Sequence, residues 1–440
     1  MSVFFRVVPV MVAICACSST ALASDARSIA LGGSAIANGQ GVHGAIENPA
    51  SMMAMQRAAQ TIHFRIGLAG EIRDTGAAID TLTDDDNKGL INDIESEIDI
   101  ISNKQIQCNP LFGADDDVCV DGTQPLSDLA SQLLDVIDVV DDETLDIQAS
   151  ADFGMAFTKP AYPVAVNLRV MGTGAGTPEI AENDLDYIRE FANLLDNDTL
   201  TLDEARNSTY LEASELGIPL GVQQPEDVLQ SEGNGNALIR TQLSIGIAKT
   251  FVVKGIDIDT GITPKFSSLL AYNLDVSVVD EFVDGSDPIA DRFEDSEVSE
   301  NSFTFDIGAS MAVKKLPIRV AAVLRNVVPE SIKTDDGFEF ETTPQLIIGG
   351  LYQRGMLSVT GDLALNEAKV DNFETQKIAL GVEFGTRKMA IRGGISTDAS
   401  RSKDSTALSL GFGLGPLQIG GRLSGTDSLE AGAQLSYSFM

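Results

Sequence analysis

The stretch LEAGAQLSYSF, Leu429 to Phe439, alternates without a break. Leu429, Ala431, Ala433, Leu435, Tyr437 and Phe439 fall on one side of an extended chain, and Glu430, Gln434, Ser436 and Ser438 on the other. Successive side chains of a strand point to opposite faces, so this is a strand with one apolar and one polar face. The period recurs upstream. FTFDIGASMAV sets Phe303, Phe305, Ile307 and Met311 against Thr304, Asp306 and Ser310, and KIALGVEF sets Ile378, Leu380, Val382 and Phe384 against Lys377 and Glu383. MLSVTGDLAL, MAIRGGIS, ALSLGFGL and PLQIGGRL continue it. A soluble sandwich turns the apolar face inward and a membrane barrel turns it outward, so alternation alone leaves both open.

Connection lengths choose between them. Strands are expected at about 58–73, 145–158, 161–173, 238–252, 255–275, 301–313, 316–327, 343–354, 356–366, 374–385, 388–397, 406–415, 416–425 and 428–439. The links between them alternate: long after the first, short at 159–160, long at 174–237, short at Val253-Lys254, long at 276–300, short at Lys314-Lys315. Short turns on one side and long loops on the other describe a 14-stranded antiparallel up-and-down transmembrane β-barrel, all-β, with both termini on the short-turn side. The strand-like TYLEASELGIPL, 209–220, would break the even count and belongs to a long external loop. Phe157, Tyr162, Phe251, Tyr352, Phe384, Tyr437 and Phe439 all fall beside the short turns or the C-terminus, as one interfacial girdle would.

The N-terminal residues MSVFFRVVPVMVAICACSSTALAS carry one charge, Arg6, then an apolar run from Val7 to Cys17, then the small-residue signal Ala21-Leu22-Ala23. That is the form of an export signal, so residues 1–23 are expected to be a signal peptide removed near Ser24. The rival is acylation of Cys17 after Ile14-Cys15-Ala16. Removal leaves Cys108 and Cys119, for which an oxidising compartment predicts a disulfide. Past the signal no apolar run reaches the roughly 18 residues of a membrane helix. The formal charge of -35 excludes a phosphate-tracking nucleic-acid binder. Acid runs such as DDD at 84–86 and 115–117 read as solvated external loops within the insertions at about 74–144 and 174–237.

Between signal and barrel lies SIALGGSAIANGQGVHGAIENPASMM, Ser28 to Met53. It is too rich in glycine for a stable helix and too apolar for an ordinary linker. A barrel of about fourteen strands leaves a lumen, and small residues let a backbone lie close against its wall. Residues 24–57 are therefore expected to form a plug inside the barrel of residues 58–440, with Gly32, Gly33, Asn48 and Pro49 its distinctive positions.

Leu31-Gly32-Gly33, the Ala/Gly run and Glu47-Asn48-Pro49-Ala50 after an export signal resemble the FadL-like superfamily of hydrophobic-compound channels. More closely the chain is similar to the barrel-type family known as conjugal transfer protein TraF, also through Gly261 to Phe266 and Leu324 to Val328. The resemblance implies the outer membrane of a Gram-negative bacterium and, from the FadL-like relatives, passive uptake of small hydrophobic compounds through a plugged lumen. Its implied partners are outer-membrane lipid, hydrophobic small molecules and the barrel-assembly machinery. The alternative is a non-transporting barrel acting in envelope assembly, adhesion or conjugal transfer through its external loops. The chain departs from the pattern by ending Phe439-Met440 and by its long acidic first loop.

The period-two register sends His63, Arg65, Asp146, Asp152, Arg169, Asp257, Asp259, Lys265, Asp306, Arg319, Arg325, Asp362, Lys377, Glu383, Arg392 and Arg422 toward the lumen. They suit a mutually paired polar filling better than a specific ligand site. Catalysis is not expected, because His43 and His63 are the only histidines available as a base. No cofactor is expected, with one candidate exception: DDDNKGLINDIE has Asp84, Asp86, Gly89 and Glu95 at the spacing of a calcium loop. Lys88 at its fifth position cannot ligate a cation, which favours an acidic helical cap.

Overall fold

The alternation closes into one sheet. Its strands are β1 (Ile62–Asp74), β2 (Leu145–Phe157), β3 (Val164–Glu179), β4 (Glu232–Val253), β5 (Ile256–Ser277), β6 (Val298–Ala312) and β7 (Ile318–Arg325). They continue with β8 (Gln345–Arg354), β9 (Leu357–Ala364), β10 (Lys377–Gly385), β11 (Met389–Asp398), β12 (Ala407–Leu414), β13 (Leu417–Ser424) and β14 (Ser428–Phe439). These come from a computed structural model that describes residues 25–39, 41–57, 62–74, short pieces between 118 and 137, 145–158, 162–195, 199–201, 211–212, 221–222, 231–277, 296–371, 373–386, 388–400, 406–424 and 428–439. Each strand pairs antiparallel with its neighbour in sequence, and β1 closes the ring on β14 with Ile66 opposite Leu435 and Gly67 opposite Gln434. A closed ring leaves no unpaired backbone edge, the condition hydrocarbon imposes on a sheet. Among the described residues no helix is long and apolar enough to cross a membrane.

The two faces separate as the alternation requires. On β14 Leu435 is 52% exposed and Gln434 7%. On β6 Phe303 and Ile307 are exposed, whereas Thr304 and Asp306 are buried. The outside is thus an apolar band of the kind that lipid covers in a membrane barrel, and the inside is mainly polar. Phe157, Tyr162, Phe251, Phe384 and Tyr437 lie exposed beside the short turns, and the Lys249 ammonium sits 5.5 Å from the Tyr162 ring centre and 5.2 Å from that of Phe251. A cation over aromatic faces at that level fits the boundary between hydrocarbon and water.

Several strand ends differ from the sequence expectation. β3 runs to Glu179 rather than 173, and β4 starts at Glu232 rather than 238. Residues 174–179 and 232–237 lack apolar alternation, yet they pair, as in Gly176 opposite Gly235. Above the apolar band the ladder needs no apolar face. β7 stops at Arg325 rather than 327 because Asn326 takes φ +48°, a left-handed conformation asparagine tolerates. The β4–β5 turn is Lys254-Gly255, one residue later than expected, with φ +51° and +72°; two left-handed residues make the tight hairpin turn that suits strand twist. Glu374 and Thr375, expected in β10, belong instead to Phe373–Thr375, which pairs with Ala368–Val370 in a separate hairpin.

Long connections leave the opposite end. One contains the α-helix Glu182–Leu195, and Leu211–Glu212 pairs with Gly221–Val222 outside the barrel sheet. Another folds back as a hairpin, Glu330–Lys333 against Glu339–Thr342. Its Ile332 and Phe340 are buried on Leu238, Leu269 and Ala271 of the inner wall, so this hairpin caps the lumen at the long-loop end.

Residues 25–57 run inside the ring, touching β1 to β6 on one side and β11 to β14 on the other. Contrary to the expectation drawn from its glycine content, this segment is largely helical: α1 (Ala26–Ala30), α2 (Gly41–Glu47), a 3₁₀ turn (Pro49–Ser51) and α3 (Met52–Arg57). Helices this short do not survive alone in water; here burial against the wall holds them. Asp25 caps α1 by accepting the Ser28 N–H at 2.5 Å, and Asn48 caps the 3₁₀ turn with Pro49 at its first position.

Candidate functional site

The inner segment and the wall fit through glycine. On nine strands a glycine faces inward where a side chain would strike the segment: Gly154, Gly261, Gly308, Gly349, Gly381, Gly394, Gly411, Gly420 and Gly432. A Cβ on Gly308 would lie 2.1 Å from Asn48 Oδ1, one on Gly420 2.1 Å from the Ala26 carbonyl, and one on Gly394 2.3 Å from the Gly32 nitrogen. Gly32 and Gly33 take φ +73° and +94°, so the tight bend that brings them to β11 is open to glycine and strained for other residues. Sequence reasoning passed over this ring. Its signal was there: a glycine at a polar-face position of a strand marks close backbone approach.

Charge fixes what shape positions. Arg27 of α1 donates to Glu383 of β10 at 2.9 Å, and Arg392 of β11 donates to the same carboxylate at 2.6 Å. Arg325 of β7 pairs with Glu47, and Arg57 pairs with Asp259 of β5. Asp362 of β9 accepts the backbone N–H of Ala35 at 2.6 Å and of Ile36 at 2.9 Å. Asn48 Nδ2 reaches the Ile36 carbonyl at 3.2 Å, and Asn48, at 0% exposure, is wholly buried with Pro49 against Gly308 and Gly261. Buried partners of this kind are hard to break singly, since each leaves a charge or donor unmatched.

His43 stands between two acids, its Nε2 3.6 Å from Asp25 and 3.7 Å from Glu47. Burial pushes its imidazole below the usual range, against the pull of both carboxylates. Burial would raise Asp25, but His43, Arg65 and the Ser28 N–H hold it below the usual carboxylate range. Burial also acts to raise Glu47, and Arg325, His43, Arg169 and Lys265 together outweigh it, bringing the carboxyl down to about 2. At neutral pH the segment therefore carries a neutral histidine between ionised acids.

The other residues expected in the lumen distribute along its length. His63, Arg65, Asp146 and Asp152 are buried on the inward faces of β1 and β2, with Arg65 and Asp152 2.7 Å apart. Lys265 and Asp306 pair at 2.7 Å, and Arg422 pairs with Glu430 at 2.9 Å. Arg169 and Arg319 are half-buried on inward positions, Lys377 shares the inward face of Glu383, and Asp257 shares that of Asp259 but is exposed at the short-turn mouth. Arg240 was not singled out from sequence. It is buried on β4 and holds the capping loops, donating to Glu330 at 2.5 Å and to Asp371. Asp84, Asp86, Glu95 and Cys108 lie outside the described residues, as does the Cys119 side chain.

Between the inner segment and the short-turn mouth is a cavity of about 1080 Å³. Arg27, Asn38, Arg65, Glu383 and Arg392 line its polar side; Val42, Met55, Leu351 and Met356 are among its apolar residues. Val42 and Met55 also belong to an apolar cluster with Ile46, Met52 and Met53 against Ala156, Ala165 and Ala248 of the wall.

Residues 45–363 match the family model described as "F plasmid transfer operon, TraF, protein". The chain belongs to this family. No curated protein matches the sequence. Among solved structures, the Pseudomonas putida toluene transporter TodX aligns with this TraF-family chain over 96% of its length and 99% of TodX, at 11% identity and TM-score 0.46. A Pseudomonas aeruginosa FadL homologue aligns over 96% of this chain and 100% of that one, at 9% identity and TM-score 0.40.

Proposed function

We propose that this barrel is a passive outer-membrane channel for small hydrophobic compounds, closed by residues 25–57 as a plug and oriented with its short turns in the periplasm. The observation that carries the reading is an apolar cluster packed inside an otherwise polar barrel. A water-filled pore has a polar interior, whereas here Val42, Ile46, Met52, Met53 and Met55 form an apolar cluster with wall alanines beside the cavity. Methionine side chains are flexible and adapt to apolar guests of varied shape. At the opposite end Leu238 and Leu269 of the wall pack with Ile332 and Phe340 of the cap in a second apolar cluster.

The test is entry of a neutral apolar fluorophore into intact Gram-negative cells that carry the assembled barrel. Faster entry than in cells lacking it supports the channel. Equal entry, with loss of cell-surface binding when the external insertions are deleted, would replace it by the adhesion or assembly reading.

A further inference from the structure

We infer that the outer wall of the barrel over β6 to β9 is a binding site for one anionic phospholipid, its phosphate held by Lys315 and Arg354 and an acyl chain laid in a groove of the wall. The groove is apolar and has a volume of about 550 Å³. Small residues at its floor make it. Gly350 of β8 lies opposite Val320 on one side and Gly361 on the other, and Met311 and Ile348 stand at its margins. A Cβ added at Gly350 would meet nothing within 4 Å, whereas one at its neighbour Gly349 would lie 3.0 Å from Ile36 of the inner segment. The inner side of this wall is therefore filled and the outer side is open. A recess in an apolar band lacks dispersion contacts until a chain of methylenes occupies it.

The short turns beside the groove are cationic. The turn after β6 reads Val313-Lys314-Lys315-Leu316-Pro317, and β8 ends in Arg354 before Gly355. These turns hold no acid, in a chain whose formal charge is -35. Lys315 and Arg354 are exposed, and Ile318 opposite Tyr352 brings their two turns side by side. Lys314 donates to the Gly255 carbonyl of the next turn. Asp257, the acid exposed at this mouth, is on the inward face of β5 and so turns away from the outer wall. Gly350 is four residues before Arg354 on β8, which on a tilted strand places the groove roughly 10 Å into the apolar band from the turns. Cations at the edge of such a band attract anionic headgroups, and a phospholipid carries its phosphate and its chains in this same order. An acidic protein would be drawn to the turns, but it has nothing to lay in a groove within the band.

The site rests on the outer-membrane reading and not on transport. The full barrel, purified in detergent and shown folded by its gel shift on heating, is offered equimolar phosphatidylglycerol and phosphatidylethanolamine with the same acyl chains, and retained lipid is counted by native mass spectrometry. One phosphatidylglycerol should be retained per barrel, about tenfold over phosphatidylethanolamine, as two cations near one phosphate imply. Lys315→Gln together with Arg354→Gln should bring it down to the level of phosphatidylethanolamine. Gly350→Leu, which fills the groove without touching the inner segment, should cut retention of both lipids, while Gly421→Leu, at a glycine outside the groove, should leave it as in wild type. Equal retention of the two lipids overturns the site. So does phosphatidylglycerol retention that survives Gly350→Leu; if it still falls when the two cations are replaced, the turns are a surface for an acidic partner instead. A barrel that selects phosphatidylglycerol through the groove yet admits no neutral fluorophore to cells would sink the channel reading and leave the site standing.

Discussion

The Asp362 carboxylate on β9 accepts the backbone N–H of Ala35, 2.6 Å away, and so ties the inner segment to the wall at a residue with no polar side chain of its own. Removing it leaves the N–H groups of Ala35 and Ile36 buried and unmatched. Asp362→Ala should loosen the segment by about 1.5–3 kcal/mol, the worth of hydrogen bonds to a charged group. In planar bilayers this appears as more frequent high-conductance openings than wild type; an unchanged conductance record would show that this tie does not hold the segment.

The glycine ring makes a paired prediction. A Cβ at Gly420 would meet the Ala26 carbonyl at 2.1 Å, but one at its neighbour Gly421 meets nothing closer than 3.7 Å. Gly420→Ala should destabilise the folded barrel by about 1–3 kcal/mol, as overpacking does, and Gly421→Ala should be near neutral. Urea midpoints followed by the gel shift between folded and heated forms test it. Equal midpoints for the two variants would mean that the segment does not lie against this wall.

The segment's seating should weaken in acid, in an order set by its own titrating groups. His43 has a folded value below its ordinary 6.5, so its contribution is present above that pH and declines as pH falls below it. Glu47 is depressed from 4.5 to about 2, so its contribution holds above 4.5 and is lost between those values. Thiol labelling of a cysteine at Ala35 across this range should show two stages of exposure. In Glu47→Gln the lower stage should shrink, and a profile identical to wild type would contradict the assignment.

Arg240 predicts the behaviour of the cap. It holds Glu330 and Asp371 together inside the long-loop end. Arg240→Gln strands two buried carboxylates, a loss of about 3–5 kcal/mol where such networks are broken from one side. The hairpin Glu330–Thr342 should then become protease-sensitive in intact cells; continued resistance would show that Ile332 and Phe340 hold it without the arginine.

These elements differ in how legible they were. All fourteen strands could be read from period-two alternation, because an apolar outside and a polar inside impose opposite chemistry on neighbouring residues. The outer extensions of β3 and β4 could not, since beyond the apolar band nothing selects an apolar face. The inner segment was legible through its small residues, but not its helices, which exist by burial rather than by local propensity. Arg27 and Glu383 are 356 residues apart, and no local pattern pairs them. Gly381 and Gly420, each on the polar face of its strand, did mark where the segment lies, and a reading attentive to glycine among polar neighbours recovers the contact.

If residues 25–57 close the barrel, deletion of Ser28 to Met53 opens it. Intact cells carrying the assembled deletion variant are compared with wild type for entry of the neutral apolar fluorophore. Entry should be faster in the deletion variant, with added passage of larger polar solutes that wild type excludes. Entry and size limit unchanged from wild type would contradict it.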